Sequence, residues 1–402
     1  AVDGSTVTIS SEGIYIISGE LSSGQIVVDA SDDAKVQLVL AGATIHNENG
    51  PVIYAKNVDK CFVTLADGTQ NSLSDGTDYT LEDDSDEPYA TLFCRCDLTI
   101  NGTGALNVTA NYRHGICSKD DLVVTGTLNV TAVEDCLRGR DCVKIAGGSF
   151  SLVSGGDGIK SNKDTEAMQG FVSITGGTFS INAGDDAVQA KTYIGITGGT
   201  FSVTSADDAF HSDLQMAIAG GDFTVSARDD AFHAELAVDG GTIDVTSCCE
   251  GLEAEKVYVN GGDTSVVASD DAVNSSAADL SDGSDESEDA NDNGAPGEGG
   301  IAVDGKTPGE GGPAAEVLRM LVISRVVTRA DRMAEFRKAA PRGRAGNSPK
   351  TAPRKASQPK VICRRATKAA IGAVPLTQVL PTALFRSTAE RSCSTRRGMP
   401  ST

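Results

Sequence analysis

Acidic phrases recur through the middle of the chain: Glu134-Asp135, Asp157, Asp185-Asp186, Asp207-Asp208, Asp229-Asp230, Glu250 and Asp270-Asp271. Successive phrases stand 20 to 22 residues apart, with seven extra residues in one interval. If each interval is one turn of a stacked chain, equivalent carboxylates lie about 4.8 Å apart. Two like charges at ~5 Å repel by about 0.8 kcal/mol in water and ~3 kcal/mol at an effective dielectric of 20. Such a file must be neutralised. A hard cation that accepts six to eight oxygens in flexible geometry, Ca²⁺, suits it. The expected ligands are Asp135, Asp157, Asp185, Asp186, Asp207, Asp208, Asp229 and Asp230. The competing reading is that each Asp caps its own turn and faces water.

The elements that position these residues follow from the columns between them. Phe150, Phe179, Phe201, Phe223 and Ile243 follow paired small residues, and Leu152, Ile181, Val203, Val225 and Val245 come two residues later. Before the pairs run Val172 and Ile174, Ile194 and Ile196, Met216 and Ile218, and Leu236 and Val238. A third short run carries Leu137, Ile159, Val188, Phe210, Phe232, Leu252 and Val273. Period-two alternation in brief runs is strand chemistry. Three strands per turn with glycine corners predict an all-β chain, a right-handed parallel β-helix of 20 to 22 residues per rung. The leucine/asparagine frame of leucine-rich repeats is absent, and a propeller blade needs about twice the period.

The net charge of −22 is unevenly spread: 19 of the 34 Lys+Arg but only 4 of the 56 Asp+Glu fall after residue 313. The acidic part repels nucleic acid and anionic membrane. Residues 1–89 read as an N-terminal cap and first coils, and 90–275 as regular rungs. Residues 276–313 read as a disordered acidic, Gly-rich insertion or linker. Residues 314–402 read as a basic tail, either disordered, helical over 314–338, or translated in a shifted frame, which leaves the C-terminal end of the solenoid exposed. The ten cysteines show no zinc-ribbon spacing. Cys136 belongs to a small-residue column, and a disulfide from Cys117 to Cys94 or Cys96 is sterically open. No signal peptide or membrane-spanning run is read in the chain.

The phrases GQIVVDASDDAKVQLVLAG, GPVIYAKN, DLTINGTGALNVTANYRHGICSKDDL, GGDGIKS, ITGGTF, DDAFH, CEGLEAEKV and ASDDAVN resemble bacterial carbohydrate-binding domain proteins. These are built as right-handed parallel β-helices similar to calcium-dependent pectate lyases. The resemblance covers residues 1 to about 280. It implies a secreted or cell-surface bacterial protein that binds plant cell-wall polysaccharide, pectin (polygalacturonate) or cellulose, with Ca²⁺ on the acidic edge. It matches Asp157 and the Asp185-Asp186 doublet to the calcium elements of the lyases, but Gln189 stands where they carry a third aspartate. On the binding reading, Lys160, Gln189, Lys191, His211 and His233 meet the sugar. The aromatic platform route is closed, because the chain has no Trp. On the lyase alternative, Lys160 or Lys191, with Lys163 nearby, abstracts the proton α to a uronate carboxyl while Ca²⁺ neutralises it. A third alternative is a structural surface solenoid without glycan affinity. His211 and His233, one rung apart and each three residues after an Asp, also have the makings of a transition-metal pair.

Overall fold

The computed structural model describes residues 2–3, 5–81, 85–164, 168–275 and the backbone of 316–321. They form a right-handed parallel β-solenoid of about 12 turns with no helix. Three ladders of parallel strands run its length. Ladder A climbs from Thr6–Ile9 through Ile53–Asn57, His114–Ser118, Ile159–Ser161 and Val188–Ala190 to Val273–Asn274. Ladder B includes Lys60–Leu65, Asp97–Gly102, Phe171–Ile174 and Tyr193–Ile196. Ladder C includes Ala105–Ala110, Thr178–Ala183 and Thr200–Ser205, ending at Asp263–Ala268.

Register is fixed by the apolar columns, because a one-residue slip would turn every core side chain outward. Phe150, Phe179, Phe201 and Phe223 pair rung to rung and stack with centroids 4.8, 4.7 and 4.6 Å apart and planes within 8°. From ladder A, Phe210 and Phe232 form a second stack at 5.0 Å. It meets the first edge-on, Phe210 to Phe201 at 79° and Phe210 to Phe223 at 80°. Both arrangements suit the ring quadrupole. The bend that follows ladder B needs glycine: Gly148 has φ +129°, and a Cβ there would lie 2.3 Å from the Gly126 carbonyl oxygen.

Parallel stacking begins at Thr6, so residues 6–75 are turns of the same solenoid. Their irregularity comes from strands such as Lys35–Asn47, which passes through ladders B and C without a break. At the other end, Glu316–Leu321 pairs antiparallel with Asp263–Ala268. This corrects the expectation of helix over those six residues, and of an exposed last turn for ladder C alone; in the last strands of ladders B and A, Tyr258 and Val273 are exposed as expected. The rest of the acidic linker and basic tail lies outside the described residues. Among the described residues, no helix is long and apolar enough to cross a membrane. No disulfide joins the described cysteines. Cys117 packs with Tyr54, Tyr89 and Phe93, and Cys136 is buried in the small-residue column as its position predicts.

Candidate functional site

The acidic phrases occupy the corner where the chain leaves ladder C and enters ladder A. From Glu134-Asp135 to Asp229-Asp230 the last residue of each phrase turns inward, whereas Glu250 is half-buried and Asp271 exposed. Asp135, Asp157, Asp186, Asp208 and Asp230 are all buried, none more than 5% exposed. Their Oδ1 atoms build a ladder of their own. The backbone N–H of Asp157 donates to Asp135 Oδ1 at 3.0 Å, that of Asp186 to Asp157 at 3.0 Å, that of Asp208 to Asp186 at 3.0 Å, and that of Asp230 to Asp208 at 2.8 Å. Asp135, Asp157, Asp186 and Asp208 each thereby satisfy a buried donor that the corner would otherwise orphan. The small residue after each Asp makes room: a Cβ on Gly158 would meet the Ala187 carbonyl oxygen at 2.6 Å.

The Oδ2 atoms face the polar column of ladder A, three residues on. Arg138 Nη1 lies 3.3 Å from Asp135, Lys160 Nζ 2.9 Å from Asp157, His211 Nδ1 3.2 Å from Asp208, and His233 Nδ1 3.5 Å from Asp230. A fifth basic group, His114, lies 3.2 Å from Asp135. At Asp186 the equivalent position holds Gln189. The nearest basic atom to Asp186 is His211 Nδ1 at 3.6 Å, which lies closer to Asp208.

Proton affinities follow this uneven supply of positive charge. Burial works against ionising Asp135, but His114 and Arg138 outweigh it and hold the carboxyl below the ordinary range. Burial likewise opposes the charge on Lys160, yet Asp157 and Asp135 keep its ammonium above the usual lysine range. Burial pushes Asp157 up to about 7, with Lys160 only partly offsetting it. For Asp208 burial is outweighed by hydrogen bonds from His211 and His233, which bring it to about 2. Asp186 is driven well above the carboxylate range by burial and by Asp157, Asp208, Asp185 and Asp207 around it. Asp230 rises to about 10 through burial and its contact with Glu253.

The first residues of the phrases, Asp185, Asp207 and Asp229, lie outside the inner file and are more exposed. Carboxylate oxygens of Asp185, Asp186 and Asp207 lie within 4.8 Å of one another, as do those of Asp207, Asp208 and Asp229. All-oxygen donor sets with surplus negative charge fit a hard cation such as Ca²⁺, and the unneutralised Asp186 makes the first set the better fit. Asp135 and Asp157 are not brought into either set, because Arg138, His114 and Lys160 stand where an ion would.

The residues expected to meet a sugar are mostly occupied. Lys160 is bound to Asp157, Lys191 Nζ lies 3.0 Å from Asp213 Oδ2, and Lys163 Nζ lies 3.4 Å from Asp141 Oδ1. His211 and His233 stack at 4.8 Å and are largely buried. Gln189, half-buried, remains beside the Asp185–Asp207 corner. The counter-ion role of the column went unread in the sequence, although the spacing Asp-x-x-Arg, Asp-x-x-Lys and Asp-x-x-His was there to find.

The profile of a family described as "Carbohydrate-binding domain-containing protein" matches residues 3–251 and 190–294. A protein of Acetivibrio thermocellus with that same description is 39% identical over 121 residues, 30% of this chain and 42% of that protein. This chain therefore matches less than half the length of that relative. A solved structure, the polysaccharide lyase-like protein from C. thermocellum in a gadolinium derivative, is 31% identical with a TM-score of 0.45, covering 64% of this chain and 92% of that one.

Proposed function

The chain belongs to the carbohydrate-binding domain-containing family, and from that premise we propose an extracellular, calcium-dependent polysaccharide-binding solenoid that takes acidic plant cell-wall glycans of the pectin class, with cellulose a further candidate. The observation that carries the reading is the gap in the counter-ion column. Among the buried inner aspartates, Asp186 alone has an uncharged residue, Gln189, at the position that supplies Arg138, Lys160, His211 and His233 elsewhere. Asp185, Asp186 and Asp207 would hold Ca²⁺ there, with Asp229 one rung on. Bound calcium supplies a positive centre on an otherwise acidic edge, to which uronate carboxylates are attracted. Oδ1 of Asp186 stays committed to the Asp208 N–H, so the corner keeps its shape whether or not a glycan is present.

Binding is favoured over cleavage because a β-elimination needs an unprotonated base. Lys160 is held charged by Asp157 and Asp135, and Lys191 is paired with Asp213. Pull-down of the full chain on insoluble polygalacturonate and on cellulose, with and without chelator, tests the reading. Retention on polygalacturonate that chelator abolishes is the expected result. Retention indifferent to chelator removes the calcium part, and no retention on either glycan leaves a structural solenoid. Appearance of an ultraviolet-absorbing unsaturated uronide would restore the lyase reading.

A further inference from the structure

The geometry points to a second, chemically different metal site, a divalent transition-ion site of the Zn²⁺ type formed by Asp208, His211 and His233, which adjoins the calcium corner and extends one rung beyond it. His211 Nδ1 and His233 Nδ1 each lie 3.2 Å from the same Asp208 Oδ2, and the three ligand atoms all fall within 4.8 Å of one another. In a tetrahedral zinc site with bonds of about 2.0–2.1 Å, ligand atoms stand about 3.3 Å apart. The two measured edges therefore match those of a tetrahedral face. A face of two imidazole nitrogens and one carboxylate oxygen leaves a fourth position, which Asp230 Oδ2 flanks at 3.5 Å from His233 Nδ1.

The donor chemistry separates this site from the first. Ca²⁺ is bound through oxygen, whereas imidazole selects zinc, copper, nickel and iron. Register accounts for the convergence: His211 and His233 are direct partners in ladder A, so their rings stack at 4.8 Å and present the same nitrogen to the same side. Orientation is supported from outside as well. His211 Nε2 faces Asp213 Oδ1 at 3.6 Å, which puts a carboxylate on the side of the ring where one orients a metal-binding imidazole once the contact closes to hydrogen-bond length. Two imidazolium rings stacked in this way would repel. Two neutral ones would leave the buried Asp208 carboxylate, which both rings face, without a positive partner. A dication bound through both Nδ1 atoms resolves both conflicts, and any proton on either Nδ1 is released to solvent.

The test is calorimetric titration of the chelator-treated full chain with Zn²⁺ in excess Ca²⁺, so that all-oxygen sites are already filled, and with exposed thiols alkylated. One Zn²⁺ per chain should bind. H211Q/H233Q should weaken it at least 100-fold without changing the circular dichroism spectrum. D213N should weaken it about 10-fold, as loss of an outer carboxylate does. X-ray absorption at the zinc edge of the loaded wild type should show two imidazoles. Absence of Zn²⁺ binding under excess Ca²⁺, an unaltered affinity in the double variant, or an absorption spectrum without imidazole neighbours overturns the site.

Discussion

Replacing Gln189 by lysine should make the solenoid independent of calcium. Lys160 and Gln189 share a register position, and the Lys160 ammonium stands 2.9 Å from Asp157. A lysine at 189 can therefore reach Asp186, three residues before it, in the same geometry. A hydrogen bond to a charged group contributes about 1.5–3 kcal/mol, and fixing a lysine side chain costs about 1.5–2 kcal/mol of that. A net gain of about 0.5 kcal/mol for the calcium-free protein corresponds to a rise in Tm of roughly 1–2 °C. The wild type should gain more from calcium itself: a ligand at a hundred times its Kd stabilises by about 2.7 kcal/mol. Thermal melts of both proteins with calcium and with chelator decide the matter. Q189K should melt higher than wild type in chelator and lose most of the calcium-dependent rise. If Q189K keeps the full rise, or melts lower in chelator, Asp186 is not where the cation acts.

Other expectations follow from the same geometry. Asp186→Asn keeps the Oδ1 acceptor for Asp208 and removes a carboxyl that burial raises well above its ordinary value. A raised carboxyl stabilises the folded state below its unfolded value near 4 and loses that contribution as pH climbs toward its folded value. Urea melts of calcium-free wild type should thus weaken from pH 4 upward, and D186N should flatten that decline. Asp208, brought to about 2 by its histidines against the opposing effect of burial, acts in the opposite sense, and the stability it contributes is lost as pH falls from about 4 through about 2. Phe201→Ala opens the stack between Phe179 and Phe223 and should cost about 3–5 kcal/mol in urea unfolding. Gly148→Ala forces a side chain against the Gly126 carbonyl at positive φ and should cost about 1–3 kcal/mol by the same measurement.

The sequence carried the ladders well because their signal is local. Alternation in Phe179-Ser180-Ile181 and its equivalents, and the paired residues at Gly176-Gly177 and Gly198-Gly199, repeat at one period and specify the register observed. The first turns were harder to read, since Lys35–Asn47 runs through two ladders with no glycine pair at a bend to mark them. In the site, the two members of each acidic phrase look alike as letters. Only the corner geometry separates Asp186, buried and bonded to the next rung, from Asp185, which lies outside the inner file. The basic residues three positions on looked like a ligand-facing column, whereas burial makes Arg138, Lys160 and the histidines counter-ions. His114 was hidden because it reaches Asp135 from the previous turn, 21 residues away in sequence.

Calorimetric titration of oligogalacturonate into the full chain in the presence of calcium, comparing wild type with the D185N/D207N variant, tests the account most directly. Those two residues lie at the corner but take no part in the Oδ1 ladder that holds the inner file. Their replacement should abolish calcium-dependent binding while the protein still melts cooperatively. Unchanged binding in the variant would contradict the account.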